Sequence, residues 1–360
     1  MNATRILALL VLSSVVSTSA FAGWEVINLH PAGCTRSEAY AVLAGQVVGL
    51  AYVGGQQHAS RWSGTAASWV DLSPADSTVS CAMGISACSQ AGYARINDQM
   101  RAGIWNGTAG SWISLHPSGR SFSQAVAMSG GRQVGNVTVL GSGHAALWSG
   151  SAATWVDLHP KGCITSSAYG ISNEQQVGRA QDSGLAFHAS LWSGTAASWV
   201  DLHPALDTSS CAYGVSGGQQ VGYVYFSGKD HASLWTGTAA SWVDLNPTGS
   251  DGCRAYGVSN GWQAGYATIG SKVRAGIWRG TAQSWQDLDG FLPANYTYSY
   301  AQGINVIDSD IWIAGYAYNS MTSGNEAILW HNVIPEPSSL LALGTGLLAL
   351  AGISRRRRDC

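Results

Sequence analysis

The 360-residue sequence predicts an all-β fold, a seven-bladed β-propeller of four-stranded blades. Three observations carry this. The first is a pair of interleaved tryptophan ladders. Trp62, Trp105, Trp148, Trp192, Trp235, Trp278 and Trp330 follow one another at spacings of 43, 43, 44, 43, 43 and 52 residues, and Trp24, Trp69, Trp112, Trp155, Trp199, Trp242 and Trp285 at 45, 43, 43, 44, 43 and 43. The second is that each period holds four short apolar runs joined by alternately constant and variable links. The third is that the chain offers one strand of the outer type at its start and three strands at its end, which together complete a seventh blade. An unbroken repeat from Trp24 to Trp330 argues for one closed array, although the length alone would suggest two or three domains.

The elements follow in chain order. Arg5 precedes the apolar run Ile6 to Leu12, and Ala20-Phe21-Ala22 precedes Gly23. Charged, apolar and small-residue regions in that order predict a secretory signal peptide over residues 1–22, cleaved between Ala22 and Gly23. An outer strand, Glu25 to Leu29, comes next. The clearest full copy of the repeat reads His188-Ala-Ser-Leu-Trp192, then Ser-Gly-Thr-Ala-Ala, then Ser198-Trp-Val-Asp-Leu202, a loop, Ala212-Tyr-Gly-Val-Ser216 and Gln220-Val-Gly-Tyr223. Ser-Gly-Thr-Ala-Ala and Ser216-Gly217-Gly218-Gln219 read as tight hairpin links, because glycine supplies the positive φ that short turns need. A propeller narrows toward its axis, so the Ala-Tyr-Gly-Val-Ser strand, with the smallest side chains, belongs innermost and Ser-Trp-Val-Asp-Leu outermost. With this phase the last three strands lie near Ala301 to Asn305, Ile311 to Tyr316 and Ala327 to Trp330. Pairing them with Glu25 to Leu29 closes the ring over residues 23–332 and leaves no open edge. Antiparallel order then puts both constant hairpins on one face of the disk and both variable links on the other, where recognition residues are expected.

Across the whole mature region the repeat resembles the extracellular HAF-type repeat, on the pattern Ala-x-Gly-Ile/Val-Ser/Asn followed by Gly-Gln-x-Val-Gly. Ile171-Ser172 to Gly178 and Val215-Ser216 to Gly222 carry that resemblance. It implies location and architecture and little biochemistry.

Repetition counts against catalysis for most of the polar residues. His58, His144, His188 and His231 open the third strand of their blades, where Arg101, Arg274 and Glu326 stand in the others; His30, His116, His159 and His203 follow the outer strand immediately before proline. Both sets fall near the variable face, either as strand-end caps that hydrogen-bond to loops or, for His58, His144, His188 and His231, as a ligand face. A shared metal would need several imidazoles within about 2.1 Å of one ion, and equivalent positions in neighbouring blades are too far apart for that. Asp71, Asp157, Asp201, Asp244 and Asp287 share one outer-strand position in five blades, whereas a glycosidase needs one pair facing a single cleft. The tryptophan ladders read as blade-to-blade packing rather than sugar platforms, and so do Trp262 and Trp312, which lie outside both ladders. No Gly-rich phosphate loop, zinc-spaced Cys/His cluster or nucleophile elbow appears, so no catalytic residue, metal or cofactor is expected. Six of the seven cysteines precede the tail and would meet an oxidising compartment. Cys34 and Cys81 stand 10 and 12 residues after their outer tryptophans, and Cys163 and Cys211 stand 8 and 12 after theirs. This early-then-late pattern in adjacent blades suggests Cys34–Cys81 and Cys163–Cys211 disulfides, with no evident partner for Cys88 or Cys253.

The C-terminal segment has its own grammar: Pro335-Glu336-Pro337, an uncharged span of about 17 residues around Leu340 to Ile353, and Arg355-Arg356-Arg357-Arg358. It resembles the PEP-CTERM sorting tail of exported bacterial proteins. That resemblance implies a sorting domain over 333–360, recognition by an exosortase that cleaves near Pro-Glu-Pro, and an association with exopolysaccharide production. A span at about 339–353 is at the short limit for crossing a bilayer, and the arginines would stay cytoplasmic. It implies transient membrane insertion, or a permanent anchor if cleavage does not occur. Without Arg5 and the four terminal arginines, 13 of 18 Lys+Arg remain; without Glu336 and Asp359, 18 of 20 Asp+Glu remain. The mature domain is mildly acidic and free of charge runs, which argues against nucleic acid or anionic lipid as partner. The expected function is that of an exported surface or matrix protein, a non-catalytic propeller engaging exopolysaccharide. The alternatives are a polysaccharide lyase or hydrolase on the same scaffold and a purely structural surface protein. The divergent segment Leu288 to Tyr300 of the last blade is the first place to look for a site.

Overall fold

A computed structural model describes residues 23–205 and 209–333. They form seven four-stranded antiparallel sheets, and each internal blade is contiguous in sequence, for example Ser209–Ser216, Gln219–Phe226, Lys229–Trp235 and Val243–Asp244 in blade 5. Numbering the blades from Ser37, blade 7 comprises Tyr296–Ile307, Asp310–Asn319 and Gly324–Val333, with Glu25–Asn28 as its outer strand. The pairing Glu25↔His331 through Asn28↔Ile328 makes the one-plus-three closure. The signal peptide and its Ala22–Gly23 junction, the Pro335-Glu336-Pro337 motif, the 339–353 span and the arginine cluster lie outside the described residues. Among the described residues no helix is long and apolar enough to cross a membrane.

Seven apolar clusters hold the ring together, one at each seam between blades. At the seam of blades 4 and 5, Val177, Ala189, Leu191 and Leu202 meet Ala212, Val215, Val224 and Trp235. Leu29, Ala314, Ala327 and Leu329 meet Ala39, Val42, Val47 and Trp62 in the same way, so the joint between the chain ends is built like the others. All seven tryptophans of the first ladder are at most 1% exposed, and the seven leucines from Leu29 to Leu288 that follow the outer strands are at 0%. Packing between blades is therefore what the first ladder does.

A polar tie crosses each seam as well. Two residues before the inner-strand alanine stands Ser37, Ser80, Ser123, Ser166, Ser210 or Ser299, and its Oγ accepts the N–H of an alanine in the third strand of the preceding blade at 2.8–2.9 Å. Cys253 takes the serine's place once, its Sγ accepting from Ala232 at 3.0 Å. In the second strand of each blade a glycine follows Val or Ala. A Cβ on Gly222 would stand 1.8 Å from the carbonyl oxygen of Cys211, beside the bulge at Ala212/Gly214, so the close approach of the two strands requires glycine.

One expectation is corrected. In blades 1 to 6 the outer strand is only two residues long, Val200–Asp201 in blade 4, and the tryptophan before it ends a 3₁₀ turn, Ala196–Ser198, instead of lying in the strand. Ser198 Oγ accepts the Ser193 N–H at 2.8 Å and donates to Thr195 O at 2.7 Å, which folds the link back on itself and uses up the residues expected to pair. Where the third strand carries Ser60, Ser190 or Ser233, the second-ladder indole donates to that hydroxyl at 2.9–3.0 Å. Where it carries Gly103 or Gly276, the indole tilts onto its first-ladder neighbour with ring centroids 4.5 Å apart.

Candidate functional site

His58, His144, His188 and His231 bond through Nδ1 to Asp71, Asp157, Asp201 and Asp244 at 2.7–2.8 Å. The other carboxylate oxygen of each Asp accepts the N–H two residues on, as with Asp201 and His203 at 2.8 Å. Arg274–Asp287 fills the same position in blade 6, and Glu326 with Asn28 in blade 7. These pairs tie the third strand to the outer strand, away from the axis. The histidines before proline complete the interblade tie: Ser Oγ already accepts the alanine N–H, so its hydroxyl hydrogen is directed to Nδ1 of His30, His116 and His159 at 2.8–2.9 Å. Nε2 then carries the proton and donates to Cys34, Arg120 or Cys163 O at 2.9–3.1 Å. That arrangement favours neutral imidazole, and burial lowers His116 and His159 below the usual histidine value. His144 stacks on His159 at 3.9 Å, and His188 on His203 at 4.2 Å. Among the described residues no group of three or more His, Cys, Asp or Glu is placed to hold a metal ion.

The disulfide expectation is also corrected. Cys34, Cys81, Cys163 and Cys211 are free thiols in the structure, as are Cys88 and Cys253. The reason is position: Cys34 and Cys163 sit in links at the rim, whereas Cys81 and Cys211 lie buried in inner strands. Burial pushes the Cys211 and Cys253 thiols up to about 12 and Cys81 higher, so none is a thiolate at neutral pH.

What the sequence reading passed over is the axis. Seven inner strands surround a cavity of about 530 Å³. They run from the variable face inward, so their first residues form its mouth on that face. The position after the inner-strand alanine lines it, two further positions pack around that one, and none of the three is uniform. After the inner-strand alanine stand Tyr40, Met83, Val126, Tyr169, Tyr213, Tyr256 and Gln302; before it stand Glu38, Cys81, Gln124, Ser167, Cys211, Arg254 and Tyr300. After the second-strand glycine stand Leu50, Tyr93, Asn136, Arg179, Tyr223, Tyr266 and Tyr316. The result is lopsided. A chain of ring contacts runs through blades 4 to 7, from Tyr169 to Tyr213 at 5.6 Å, Tyr256 at 5.2 Å, Tyr266 at 5.9 Å, Tyr300 at 5.0 Å and Tyr316 at 5.1 Å. Burial pushes the Tyr266 phenol up to about 12 and those of Tyr213, Tyr256 and Tyr316 higher, so the arc is neutral and carries donor hydroxyls.

Charge at the mouth is nearly all spoken for. Glu38 accepts from Arg36 Nε at 2.8 Å, from Asn325 Nδ2 at 2.6 Å and from the Tyr40 hydroxyl. Arg254 donates through Nε to Asp230 at 2.7 Å, reaches the Tyr213 hydroxyl at 3.4 Å and lies 4.2 Å from the Tyr223 ring centre. Within Leu288 to Tyr300, Tyr298 and Tyr300 belong to the arc. Comparing the blades column by column would have revealed the site: the tyrosines looked like part of the small-residue strand, and their unevenness was the signal.

Residues 333–358 match the PEP-CTERM protein-sorting motif. The chain carries an export and sorting tail. The PEP-CTERM motif implies processing by exosortase, a membrane protease, with C-terminal anchoring before cleavage and a cell-surface or extracellular location after it. No curated protein matches the sequence. Among solved structures, a puromycin hydrolase superposes with a TM-score of 0.57 at 12% identity over 81% of this chain and 53% of its own, and the acylaminoacyl peptidase of Pyrococcus horikoshii with 0.55 at 10% over 86% and 54%. This chain spans about half the length of those two enzymes. The β-propeller domain of the Trilobed protease from Pyrococcus furiosus, described as having an open velcro topology, superposes with 0.55 at 9% over 84% and 97%. At such identities the likeness is one of fold alone; here the ring is closed by hydrogen-bonded pairing of the chain ends.

Proposed function

We propose that this PEP-CTERM protein is a non-catalytic binding propeller of the bacterial surface that engages exopolysaccharide at the mouth of its central channel. The observation that supports this is the break in sevenfold equivalence at the axis: seams and ties repeat around the ring, while the mouth gathers most of its tyrosines, and the continuous chain of ring contacts, into blades 4 to 7. Tyrosine offers a flat apolar face and a hydroxyl, a combination suited to sugar rings. The carboxylates nearest the mouth favour binding over hydrolysis. Glu38 and Asp230 are each committed to an arginine, which leaves neither as a free acid–base pair of the kind glycoside cleavage uses.

The test uses residues 23–333, whose ring is closed by its own end strands, and exopolysaccharide from the producing strain. Affinity retention and glycan size are measured together. Retention with unchanged size supports the reading, and progressive depolymerisation would replace it with an enzyme. Absence of both would leave a structural surface protein.

A further inference from the structure

Of the arginines packed against the aromatic residues around the cavity, Arg179 is the one with neither a carboxylate nor any hydrogen-bonded partner among the described residues. Arg36 is held by Glu38 and Arg254 by Asp230. Arg179 instead lies 4.0 Å from the Phe187 ring centre and 5.8 Å from that of Tyr169. It is half-buried, and each of its nitrogens keeps some exposure to solvent. Its column is otherwise occupied by uncharged residues, Asn136 and Tyr223 on either side. A guanidinium stacked on aromatic faces loses little hydration from its flat sides and keeps its donor edge pointed outward, which is the geometry for a planar anion. The Tyr169 ring stands next to it, and the Tyr213 ring lies 5.6 Å beyond that. Inside a domain of net negative charge, this is a local cationic, aromatic-lined notch.

We propose that Arg179 receives the carboxylate of an acidic sugar, so that the channel mouth selects uronate-bearing chains over neutral ones. This rests on the exopolysaccharide reading above and narrows its ligand class. The carboxylate would accept two parallel hydrogen bonds from the guanidinium, with the sugar ring against Tyr169 and Tyr213.

The experiment titrates residues 23–333 with tetragalacturonate, with its fully methyl-esterified form and with a neutral malto-oligosaccharide of equal length, by calorimetry at two salt concentrations. Binding of tetragalacturonate at least tenfold tighter than the ester, weakening with salt, is the expected result. Arg179→Gln should remove that tenfold preference while unfolding at the wild-type temperature. Arg179→Lys, which keeps the charge without the planar fork, should retain an intermediate preference and guards against a folding artefact. Equal binding of acid and ester, or an unchanged preference in Arg179→Gln, overturns the inference. If the strain's own exopolysaccharide is still retained in that case, the function stands and only the acidic selectivity falls. If neither that polymer nor any probe binds, both fall together.

Discussion

The seams between blades and the mouth of the channel are built from the same strands and use the repeat in opposite ways. At the seams every blade gives the same answer: a buried tryptophan, a leucine at 0% exposure and a serine bridging to the neighbour's alanine N–H. At the mouth, three residues along the same inner strand, the answers are tyrosine in four blades, and Met83, Val126 and Gln302 in the others. Uniformity is what closure demands, because a ring is only as sound as its weakest joint. Divergence is tolerated at the axis because side chains there meet the cavity and each other rather than a fixed backbone partner. A binding site can therefore be written into the mouth without disturbing the ring.

That contrast can be broken or sharpened by substitution. The largest effect belongs to the backbone contacts. Gly222→Ala places a Cβ 1.8 Å from a carbonyl oxygen, and is expected to prevent folding or to cost more than about 4 kcal/mol in urea unfolding. Trp192→Ala, which empties the seam of blades 3 and 4, is expected to cost about 3–5 kcal/mol by the same measurement. Ser166→Ala comes next. It strips the Ala145 N–H of its acceptor and His159 of its donor, for about 1–3 kcal/mol, with glycan retention unchanged in the folded fraction. Tyr213→Met at the mouth should behave in the reverse manner. Methionine already occupies this position in blade 2, so stability should change by less than about 1.5 kcal/mol while retention of exopolysaccharide falls. A Tyr213→Met protein that unfolds as readily as Ser166→Ala, yet binds normally, would erase the distinction between seam and mouth.

The smallest expected effect is one of pH. His116 and His159 have values lowered by burial, so near and below the ordinary 6.5 the unfolded chain binds more protons than the folded one. Stability attributable to them is present above that value and declines as the pH falls through it. The thermal midpoint should drop between pH 7 and pH 5, and His159→Asn should flatten that drop, because Asn246 already performs the same bridging role in blade 6's tie to blade 5. An equal acid dependence in wild type and variant would place the sensitivity elsewhere.

Much of this was legible from residue spacing. Tryptophan periodicity set the blade count, small side chains marked the inner strand, and a lone outer strand at Glu25 foretold the closure that Glu25↔His331 makes. Histidine and aspartate were legible only as two separate columns. Their joining, His188 to Asp201 and His159 to Ser166, depends on strand pairing that brings together residues 13 and 7 positions apart. The outer strand was over-read because a serine hydroxyl competing for backbone groups shortens it, an outcome that hydrophobic pattern does not encode. The cysteines were over-read because spacing along the chain does not distinguish a rim link from a buried inner strand.

What the sequence determined by itself is whatever repeats: seven blades, their strand order, the two unlike faces, and a tail whose Pro-Glu-Pro motif, apolar span and arginines specify export and sorting without reference to any fold. What only the tertiary structure decided is whatever does not repeat. Glu38, Arg179, Tyr213, Arg254 and Tyr300 are scattered over more than 260 residues and share no motif. They become neighbours because closing the ring turns seven inner strands toward one axis, where a residue's partner is set by the adjoining blade and not by the adjoining sequence.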